Sequence, residues 1–310
     1  MRVAFQGEAG AFSEAAAVQL LGPSITTVPR PTFDSAFRAL DEKAADALLA
    51  PVENSLAGSV VRVYDLMLQS NVRIVAETIL PIEHDLIGCP GATMEGLRSV
   101  ASHPMALAQC EQFFLAHPDL KRVPAEDTAG SVREVLAGGY KSCAAIAGRR
   151  AAERYGGTIL ASGIQDNAEN FTRFVLLIPV LSKEEERLRP PGTAAVGSPG
   201  VTDIMAELMV RRSELPDAPW AVKMSLALRL AHRPGALLAA LKPFSRLGVN
   251  LLKIESRPIH GRPWEYQFFL DVEAESGERL GEAVNEVSLA TSDLRILGSY
   301  AAQRSLAASA

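Results

Sequence analysis

The chain has 310 residues, of which 48% are hydrophobic and 22% are charged, a balance typical of globular proteins long enough for two or three domains. A formal net charge of -5 without clusters of Lys and Arg argues against a nucleic-acid binder, because phosphate binding depends on such clusters. No apolar run approaches the roughly 18 residues that a membrane-spanning helix needs, so we expect no membrane role.

The first residues and the cysteines bear on the cellular compartment. Residues 1–5 run directly into an apolar strand pattern, without the charged start and apolar stretch of a signal peptide. The cysteines Cys89, Cys110 and Cys143 are odd in number and far apart, which favours buried free thiols over disulfides or a Cys-x-x-Cys metal site. We therefore expect a cytoplasmic protein without a metal site.

Residues 1–180 alternate short apolar runs with helical periodicity, the pattern of α/β layers around a central sheet. The predicted strands are 3–6, 47–50, 72–79 and 175–178. Helices are predicted where Ala15, Val18 and Leu21 share one face, where Phe33, Phe37 and Leu40 do so, and over 56–68, 105–115 and 128–136. The charged, Pro- and Gly-rich segment 181–222 then indicates a linker.

Regular periodicity returns from residue 223 to 302 and predicts the order β-α-β-β-α-β of a ferredoxin-like domain. Its predicted elements are a strand at 224–230, a helix from Pro234-Gly235 to Gly248, strands at 249–255 and 264–272, a helix at 280–289 and a strand at 294–297. Such a small sheet leaves one face and one edge uncovered, so we predict a homodimer or homotetramer.

A first polar cluster, Pro51 to Ser55, lies where a buried strand ends and a helix is predicted to begin. Ligands of open α/β sheets collect at the carboxyl ends of strands, and helix N-termini favour anions, so this placement suits a carboxylate. The alternative is structural, because Asn54 or Ser55 could serve only as the N-cap of the helix.

Two further segments place polar side chains next to a predicted strand end or turn. Asn170 to Phe174 sets a hydroxyl and a guanidinium between aromatic rings before an apolar strand, and a buried Arg173 would need a carboxylate partner. A surface turn is the alternative there. Gly7 to Glu14 reads as a strand-to-helix turn whose glycines allow close approach to an anion, although it lacks the dinucleotide-binding pattern.

Together with residues 102–110 and 127–131, these clusters resemble the prephenate dehydratase family, in the family's order. The Glu-Asn-Ser triplet at 53–55 and the Thr-Arg-Phe triplet at 172–174 are the most diagnostic parts. The resemblance implies a catalytic domain, 1–180, of two α/β lobes similar to type II periplasmic binding proteins, with the active site between them. Lobe one would comprise 1–78 and 165–180, and lobe two 79–164.

The resemblance also implies roles for individual residues and a reaction without metal or cofactor. Thr172, Glu53 and Ser55 would be catalytic, with Thr172 assisting departure of the ring hydroxyl and Glu53 the better acid if burial raises its pKa. The implied substrate-binding residues are Ser13, Asn54, Thr128, Ser131, Arg173 and Phe174.

Residues 225–238 and 248–258 resemble the ACT domain of that family, in which these two motifs line a phenylalanine site. The implied ligand residues are Gly235, Ala236, Leu237, Leu238, Asn250, Leu251, Glu255, Ser256 and Arg257. On the residues alone, Gly235 leaves room and N–H groups for a carboxylate, whereas Glu255 and Arg257 would most simply be a solvated strand end.

The expected function is therefore a monofunctional, phenylalanine-regulated prephenate dehydratase. Two alternatives stay open: arogenate dehydratase, which the sequence does not separate from it, and a non-enzymatic amino-acid binding or sensing protein, because transport receptors share the two-lobed architecture.

Overall fold

The structure is a computed structural model that describes residues 1–180, 221–259, 261 and 265–303. The described chain divides into two compact units, the first made of 1–70 and 78–175, the second of 71–77, 176–180 and the described residues from 221 onward. The predicted linker, 181–222, lies outside the described residues except for its last two positions. Among the described residues, no helix has both the length and the apolar content needed to cross a bilayer.

The first unit contains two sheets, each with its own helices. The elements around the first sheet are β1 (Arg2–Gln6), α1 (Phe12–Leu21), β2 (Thr26–Arg30), α2 (Phe33–Asp41), β3 (Ala47–Asn54), β4 (Gly58–Ser59), α3 (Val61–Gln69), β5 (Val72–Pro81) and β11 (Phe171–Pro179). The sheet has the order β5-β11-β3-β1-β2, and β1 runs parallel to both β2 and β3. Leu48 and Leu49 on β3 are both fully buried, as expected for a central strand covered on both faces.

The second sheet of this unit has the order β10-β6-β9-β7-β8. Its elements are β6 (Asp85–Gly88), β7 (Ser99–Ser102), α4 (Pro104–Ala108), α5 (Glu111–Ala116), β8 (Lys121–Pro124), α6 (Thr128–Gly138), β9 (Cys143–Ala147), α7 (Arg149–Tyr155) and β10 (Thr158–Ala161). Apolar clusters cover both faces of this sheet, centred on Leu86 and Ile146 on one side and on Ile87 and Ala145 on the other. The chain passes between the sheets twice, from β5 to β6 and from β10 to β11. The predicted pair of α/β lobes is confirmed.

The second unit has the predicted order β-α-β-β-α-β: β12 (Val222–Arg229), α8 (Ala236–Arg246), β13 (Asn250–Pro258), β14 (Tyr266–Ala274), α9 (Gly277–Ala290) and β15 (Asp293–Ala301). The antiparallel sheet has the order β13-β14-β12-β15, and both helices pack on one face around Leu226, Leu270 and Leu280. The first half of β5 joins β15 within this unit through Gly298 and Ile74. A Cβ at position 298 would lie 2.2 Å from the Ile74 carbonyl oxygen, so this approach requires glycine.

Two predicted helices differ in the structure. The helix predicted from residue 56 begins at Val61, because a turn and the short strand β4 occupy the residues before it. The helix predicted over 105–115 is two helices, α4 and α5. The break has a long-range cause, since the carboxylate of Asp166 accepts hydrogen bonds from the N–H groups of Glu111 and Gln112 and so caps a new helix start (both 2.9 Å).

The three cysteines are free thiols, as predicted, with Cys89 and Cys110 buried and Cys143 half-buried. Burial, with a smaller contribution from Asp166, raises the pKa of the Cys110 thiol to about 12, so this thiol stays protonated and unreactive at neutral pH.

Candidate functional site

The turn after β3 is organised by the side chain of Asn54. Its Oδ1 accepts hydrogen bonds from the backbone N–H groups of Leu56 (3.0 Å) and Ala57 (2.8 Å). The opposite end of the amide, Nδ2, therefore faces the start of β11, where it lies 2.7 Å from Asn170 Oδ1 and 2.9 Å from Thr172 Oγ1. Asn54 thus joins the first and second predicted clusters, which are more than a hundred residues apart in sequence.

Thr172 is 8% exposed, and its hydroxyl oxygen accepts the hydrogen bond from Asn54. Within the part of the chain that the structure describes, the hydroxyl proton of Thr172 has no acceptor. A hydroxyl held in this way by one donor has its own proton available for a ligand.

Ser55 uses its hydroxyl within the same turn. Its Oγ donates to the carbonyl oxygen of Glu169 and accepts from the N–H of Phe171, both at 2.9 Å. Neither Ser55 nor Asn54 is a helix N-cap, because the residue before α3 is Val60. The N-cap alternative for this segment is therefore wrong.

Arg173 has the carboxylate neighbour that its burial was predicted to require. The Arg173 side chain is 11% exposed, and its Nη1 lies 3.7 Å from Oε2 of Glu53, whose side chain is 39% exposed. Phe174, next along β11, is 2% exposed and belongs to the core of the sheet. The cluster therefore combines a guanidinium, a carboxylate and a buried hydroxyl at the carboxyl end of β3 and the start of β11.

The second lobe contributes the N-terminus of α6. Asp127 caps this helix by accepting a hydrogen bond from the N–H of Gly130 at 2.6 Å, and the Ser131 hydroxyl donates to the Asp127 carbonyl oxygen at 2.6 Å. Thr128 is half-buried in the first turn, and Ser131 is buried. The Gly130 N–H and the Ser131 hydroxyl proton are therefore used within the cap, and the feature that suits an anionic ligand is the helix N-terminus at Thr128.

Two ion pairs connect the Gly7 to Glu14 turn of the first lobe with helices of the second. Arg133 Nη1 on α6 lies 2.6 Å from Glu8 Oε2, and Arg150 Nε on α7 lies 3.1 Å from Glu14 Oε2. The turn also approaches α7 closely, since a Cβ at Gly10 would lie 2.9 Å from the Cα of Ala151. Ser13, in the part of this segment that belongs to α1, is 8% exposed. The turn thus carries polar side chains to the junction of the two lobes.

Glu14 is 4% exposed. Burial acts to raise its pKa, but the ion pair with Arg150 and hydrogen bonds from the N–H of Gly10 (2.6 Å) and the Thr27 hydroxyl (2.8 Å) outweigh burial and lower that pKa. Glu14 is therefore ionised at neutral pH.

In the second unit, one pocket includes part of the first predicted ligand motif. A pocket at the start of α8 is lined by Leu230, Ala231, His232, Arg233, Ala236, Leu237, Glu265, Tyr266 and Phe268. Gly235 precedes α8 with φ 78°, a conformation that favours glycine, whereas Leu238 is 73% exposed.

The residues predicted on β13 lie outside that pocket. Glu255 is half-buried and lies 3.4 Å from Lys253 Nζ, Leu251 and Arg257 are half-buried, and Asn250 and Ser256 are exposed. The pocket residues Glu265, Tyr266 and Phe268 were not predicted, because β14 carries no motif that distinguishes them. Among the described residues, no group of His, Cys, Asp and Glu side chains is arranged to hold a metal ion.

Comparison with known proteins assigns the family. The family model of prephenate dehydratase matches residues 3–180, and that of the ACT domain matches residues 224–287. The chain belongs to the prephenate dehydratase family. The members of this family are hydro-lyases, and the chain is assigned to that enzyme class.

One curated relative and two solved structures show what this prephenate dehydratase family chain is similar to. The chloroplastic arogenate dehydratase 3 of Arabidopsis thaliana is 38% identical over 97% of this chain and 67% of its own. GqqA, described as a novel type of quorum quenching acylase, is 32% identical with a TM-score of 0.79 over 98% of each chain. The prephenate dehydratase of Arthrobacter aurescens in complex with L-Phe is 29% identical, with a TM-score of 0.77, over 99% of this chain and 92% of its own.

Four residues were not predicted as site residues: Asn170, which contacts Asn54, and Glu14, Arg133 and Arg150, which form the ion pairs between the lobes. Glu14 and Asn170 stand inside segments already singled out, so their polar character was a usable signal. Arg133 and Arg150 are ordinary helix arginines in the sequence, and only the packing of the lobes shows their partners.

Proposed function

We propose that the protein is a prephenate dehydratase, which converts prephenate to phenylpyruvate in phenylalanine biosynthesis. The observation that carries the proposal is the buried Thr172 hydroxyl, which accepts a hydrogen bond from Asn54 and keeps its proton for a ligand. The family assignment supports the reaction class.

The reaction removes carbon dioxide and the ring hydroxyl together, and it forms an aromatic ring. The leaving hydroxyl must receive a proton to depart as water, while the electrons of the breaking carboxyl bond enter the ring. Thr172 is proposed to donate the hydrogen bond that assists this departure. Glu53, as a carboxylic acid, is the proposed source of the proton that the leaving hydroxyl takes, and Arg173, 3.7 Å away, then balances the carboxylate that remains. Exclusion of water by the two lobes would strengthen these polar interactions.

Prephenate carries two carboxylates, and the cluster offers groups suited to both. Arg173 is the cationic candidate from the first lobe, and the N-terminus of α6 with Thr128 and Ser131 is the candidate from the second. Asn54 and Ser55 are proposed to hold the turn geometry, Ser13 to add a donor, and Phe174 to support the wall of the site.

Arogenate dehydratase is the second candidate, because the 38% identical relative from Arabidopsis thaliana is named for that activity. Arogenate replaces the keto group of prephenate by an ammonium, so it would need an additional carboxylate or carbonyl acceptor. Glu53, whose side chain is 39% exposed, is the acceptor we propose for it.

Regulation by phenylalanine belongs to the same proposal. The matching ACT domain and the L-Phe complex of the similar Arthrobacter aurescens protein support it. We propose a homodimer or homotetramer in which Gly235, Ala236 and Leu237 of one subunit meet the β13 residues of another. The exposure of Leu252 (44%) and Ile254 (43%) on β13, which is an edge strand, is consistent with such pairing. A cytoplasmic location stays a prediction for cell fractionation to check.

The test is turnover of prephenate and of arogenate by the purified protein at neutral pH, with phenylpyruvate measured by its absorbance in alkali and phenylalanine measured by chromatography. Faster turnover of prephenate supports the proposal, and faster turnover of arogenate supports the second candidate. If neither is consumed while calorimetry detects bound phenylalanine, the protein is a binding or sensing protein and the enzymatic proposal is wrong. A rate unchanged by phenylalanine, without binding, would contradict the regulatory part.

A further inference from the structure

Asn170, which belongs to the second predicted cluster but was given no role there, contributes to the hydrogen bonds around Thr172. Asn170 stands immediately before β11 and is 1% exposed, and its backbone carbonyl oxygen accepts from the N–H of Ile82 at 2.7 Å. The residue is therefore fixed where the chain returns from the second lobe to the first.

The orientation of the Asn170 amide follows from its neighbour. Asn54 Oδ1 is occupied by two backbone N–H donors, so Asn54 presents its amide hydrogens toward β11. The Asn170 atom that lies 2.7 Å from Asn54 Nδ2 must then be the acceptor, Oδ1.

Asn54 Nδ2 has two hydrogens and three acceptors within reach: Asn170 Oδ1 at 2.7 Å, Thr172 Oγ1 at 2.9 Å and the carbonyl oxygen of Phe171 at 3.1 Å. Because Asn170 takes one hydrogen at the shortest distance, the other is directed toward Thr172. Without an acceptor at position 170, the carbonyl of Phe171 would compete for the same hydrogens, and Thr172 would lose its fixed donor.

The Asn170 amide is not fully satisfied where it stands. Its Nδ2 is buried and has no hydrogen-bond partner in the described part of the chain. A buried amide donor without a partner is unfavourable, so stability alone does not account for an asparagine at this position.

We infer that Asn170 is a positioning residue for the proposed reaction. It orients the Asn54 amide so that Thr172 Oγ1 accepts a hydrogen bond from the protein and the Thr172 proton points to the departing hydroxyl of the substrate. The inference rests on the proposed function for its catalytic part, and on the hydrogen-bond geometry alone for its structural part.

A double-mutant cycle tests the catalytic part. We expect Asn170→Ala to lower kcat by about 10- to 100-fold with KM changed by less than about 3-fold, because the contact acts mainly in the transition state. Asn170→Asp, which keeps an acceptor oxygen, should restore most of that loss. The variant carrying both Asn170→Ala and Thr172→Ala should be no slower than Thr172→Ala alone. The inference would be overturned if the kcat of the double variant fell by the product of the two single-variant losses, or if Asn170→Asp did not recover activity.

The matched control is Asn167→Ala. Asn167 is exposed in the same segment, and its side chain accepts from the N–H of Glu169 without touching Asn54, so its loss should leave kcat unchanged. A loss of kcat in this control equal to that of Asn170→Ala would assign the effect to the loop and overturn the inference.

A second measurement needs no substrate. In protein labelled with ¹⁵N at asparagine, hydrogen exchange of the Asn54 side-chain amide should be slow in the wild type and in Asn170→Asp and faster in Asn170→Ala. Equal exchange in all three would overturn the inference whatever the enzyme's activity. The protein could show the expected exchange pattern and yet turn over neither prephenate nor arogenate. That result would contradict the proposed function and support the positioning of the Asn54 amide by Asn170.

Discussion

Thr172 and Ser55 differ in the hydrogen bonds that their hydroxyls already make. The Ser55 hydroxyl donates and accepts within its turn, whereas among the residues that the structure describes the Thr172 hydroxyl only accepts. We expect Thr172→Ala to lower kcat by about 10²- to 10⁴-fold, the usual contribution of a group that assists proton transfer.

Steady-state kinetics with prephenate checks this prediction. Thr172→Ser is the control, because it keeps a hydroxyl and should retain most of the activity, and Ser55→Ala should cost less than Thr172→Ala. Wild-type turnover by Thr172→Ala would show that the hydroxyl is not catalytic.

Glu14 makes stability depend on pH in the acidic range. Its pKa is lowered because the ion pair with Arg150 and the hydrogen bonds from Gly10 and Thr27 outweigh the effect of burial. A lowered pKa stabilises the fold above the ordinary value of 4.5, and this stabilisation is lost as the pH falls through the folded-state value. The difference in melting temperature between wild type and Glu14→Gln should therefore be largest near pH 7 and shrink below about pH 4.5. A constant difference from pH 7 to pH 3 would contradict this assignment.

At the scale of elements, the N-cap of α6 links helix stability to the site. We expect Asp127→Ala to lower the free energy of unfolding by about 0.5–2 kcal/mol, because the N–H of Gly130 loses its acceptor. The same change should raise KM, since Thr128 and Ser131 stand in the first turn of that helix.

Urea unfolding and kinetics check both effects in one preparation. Ser276→Ala is the matched control: Ser276 caps α9 in the other unit by accepting from the N–H of Arg279, so it should lower stability by a similar amount and leave KM unchanged. Equal KM values in Asp127→Ala and wild type would remove α6 from the proposed substrate site.

The elements that sequence reasoning predicted correctly are those whose pattern is local. The alternation at Met224, Leu226 and Leu228 predicted β12, and the apolar run Val175 to Ile178 predicted the centre of β11. The strands β2, β6, β7, β8, β9 and β10 were missed, as was helix α7. Several of them are only four or five residues long, too short for a clear period.

The two wrong helix boundaries have a different origin. At Asn54 and at Asp166, a side chain bonds to backbone N–H groups and so decides where a turn or a helix start lies. For Asp166 those N–H groups are over fifty residues away in sequence, and no local pattern records such a contact. For the site, the motifs located Asn54 and Thr172, but their hydrogen bond to each other and the bond from Asn54 to Asn170 required the fold.

At the scale of the whole molecule, a buried ion pair ties β12 to the first half of β5 within the second unit. Lys223 Nζ lies 3.1 and 3.0 Å from the two carboxylate oxygens of Glu77, whose side chain is 0% exposed, and the N–H of Gln303 also donates to Glu77. We expect Lys223→Met to lower the free energy of unfolding by about 3–5 kcal/mol, because it removes the lysine that is paired with the buried Glu77 carboxylate.

Changing both partners to apolar residues, as in Lys223→Met with Glu77→Leu, should recover much of that loss, because no buried charge then lacks a partner. Chemical denaturation checks both variants. The control is the exposed pair Arg246 and Glu286 between α8 and α9, where Arg246→Ala should leave the midpoint nearly unchanged because solvent screens the charges. A small effect of Lys223→Met would show that water reaches Glu77.

Gly10 connects the contact between the lobes to the population of binding-competent molecules. A methyl group at position 10 would clash with Ala151, at 2.9 Å from its Cα, in the arrangement where the lobes are in contact. The φ of 90° at Gly10 adds backbone strain for any residue with a Cβ atom. Gly10→Ala would therefore lower the fraction of molecules whose lobes are in contact without removing any polar group of the proposed site. Apparent affinity for substrate scales with that fraction, so KM should rise while kcat at saturation stays close to the wild-type value. The affinity of the enzyme would then depend on the absence of a Cβ atom at Gly10.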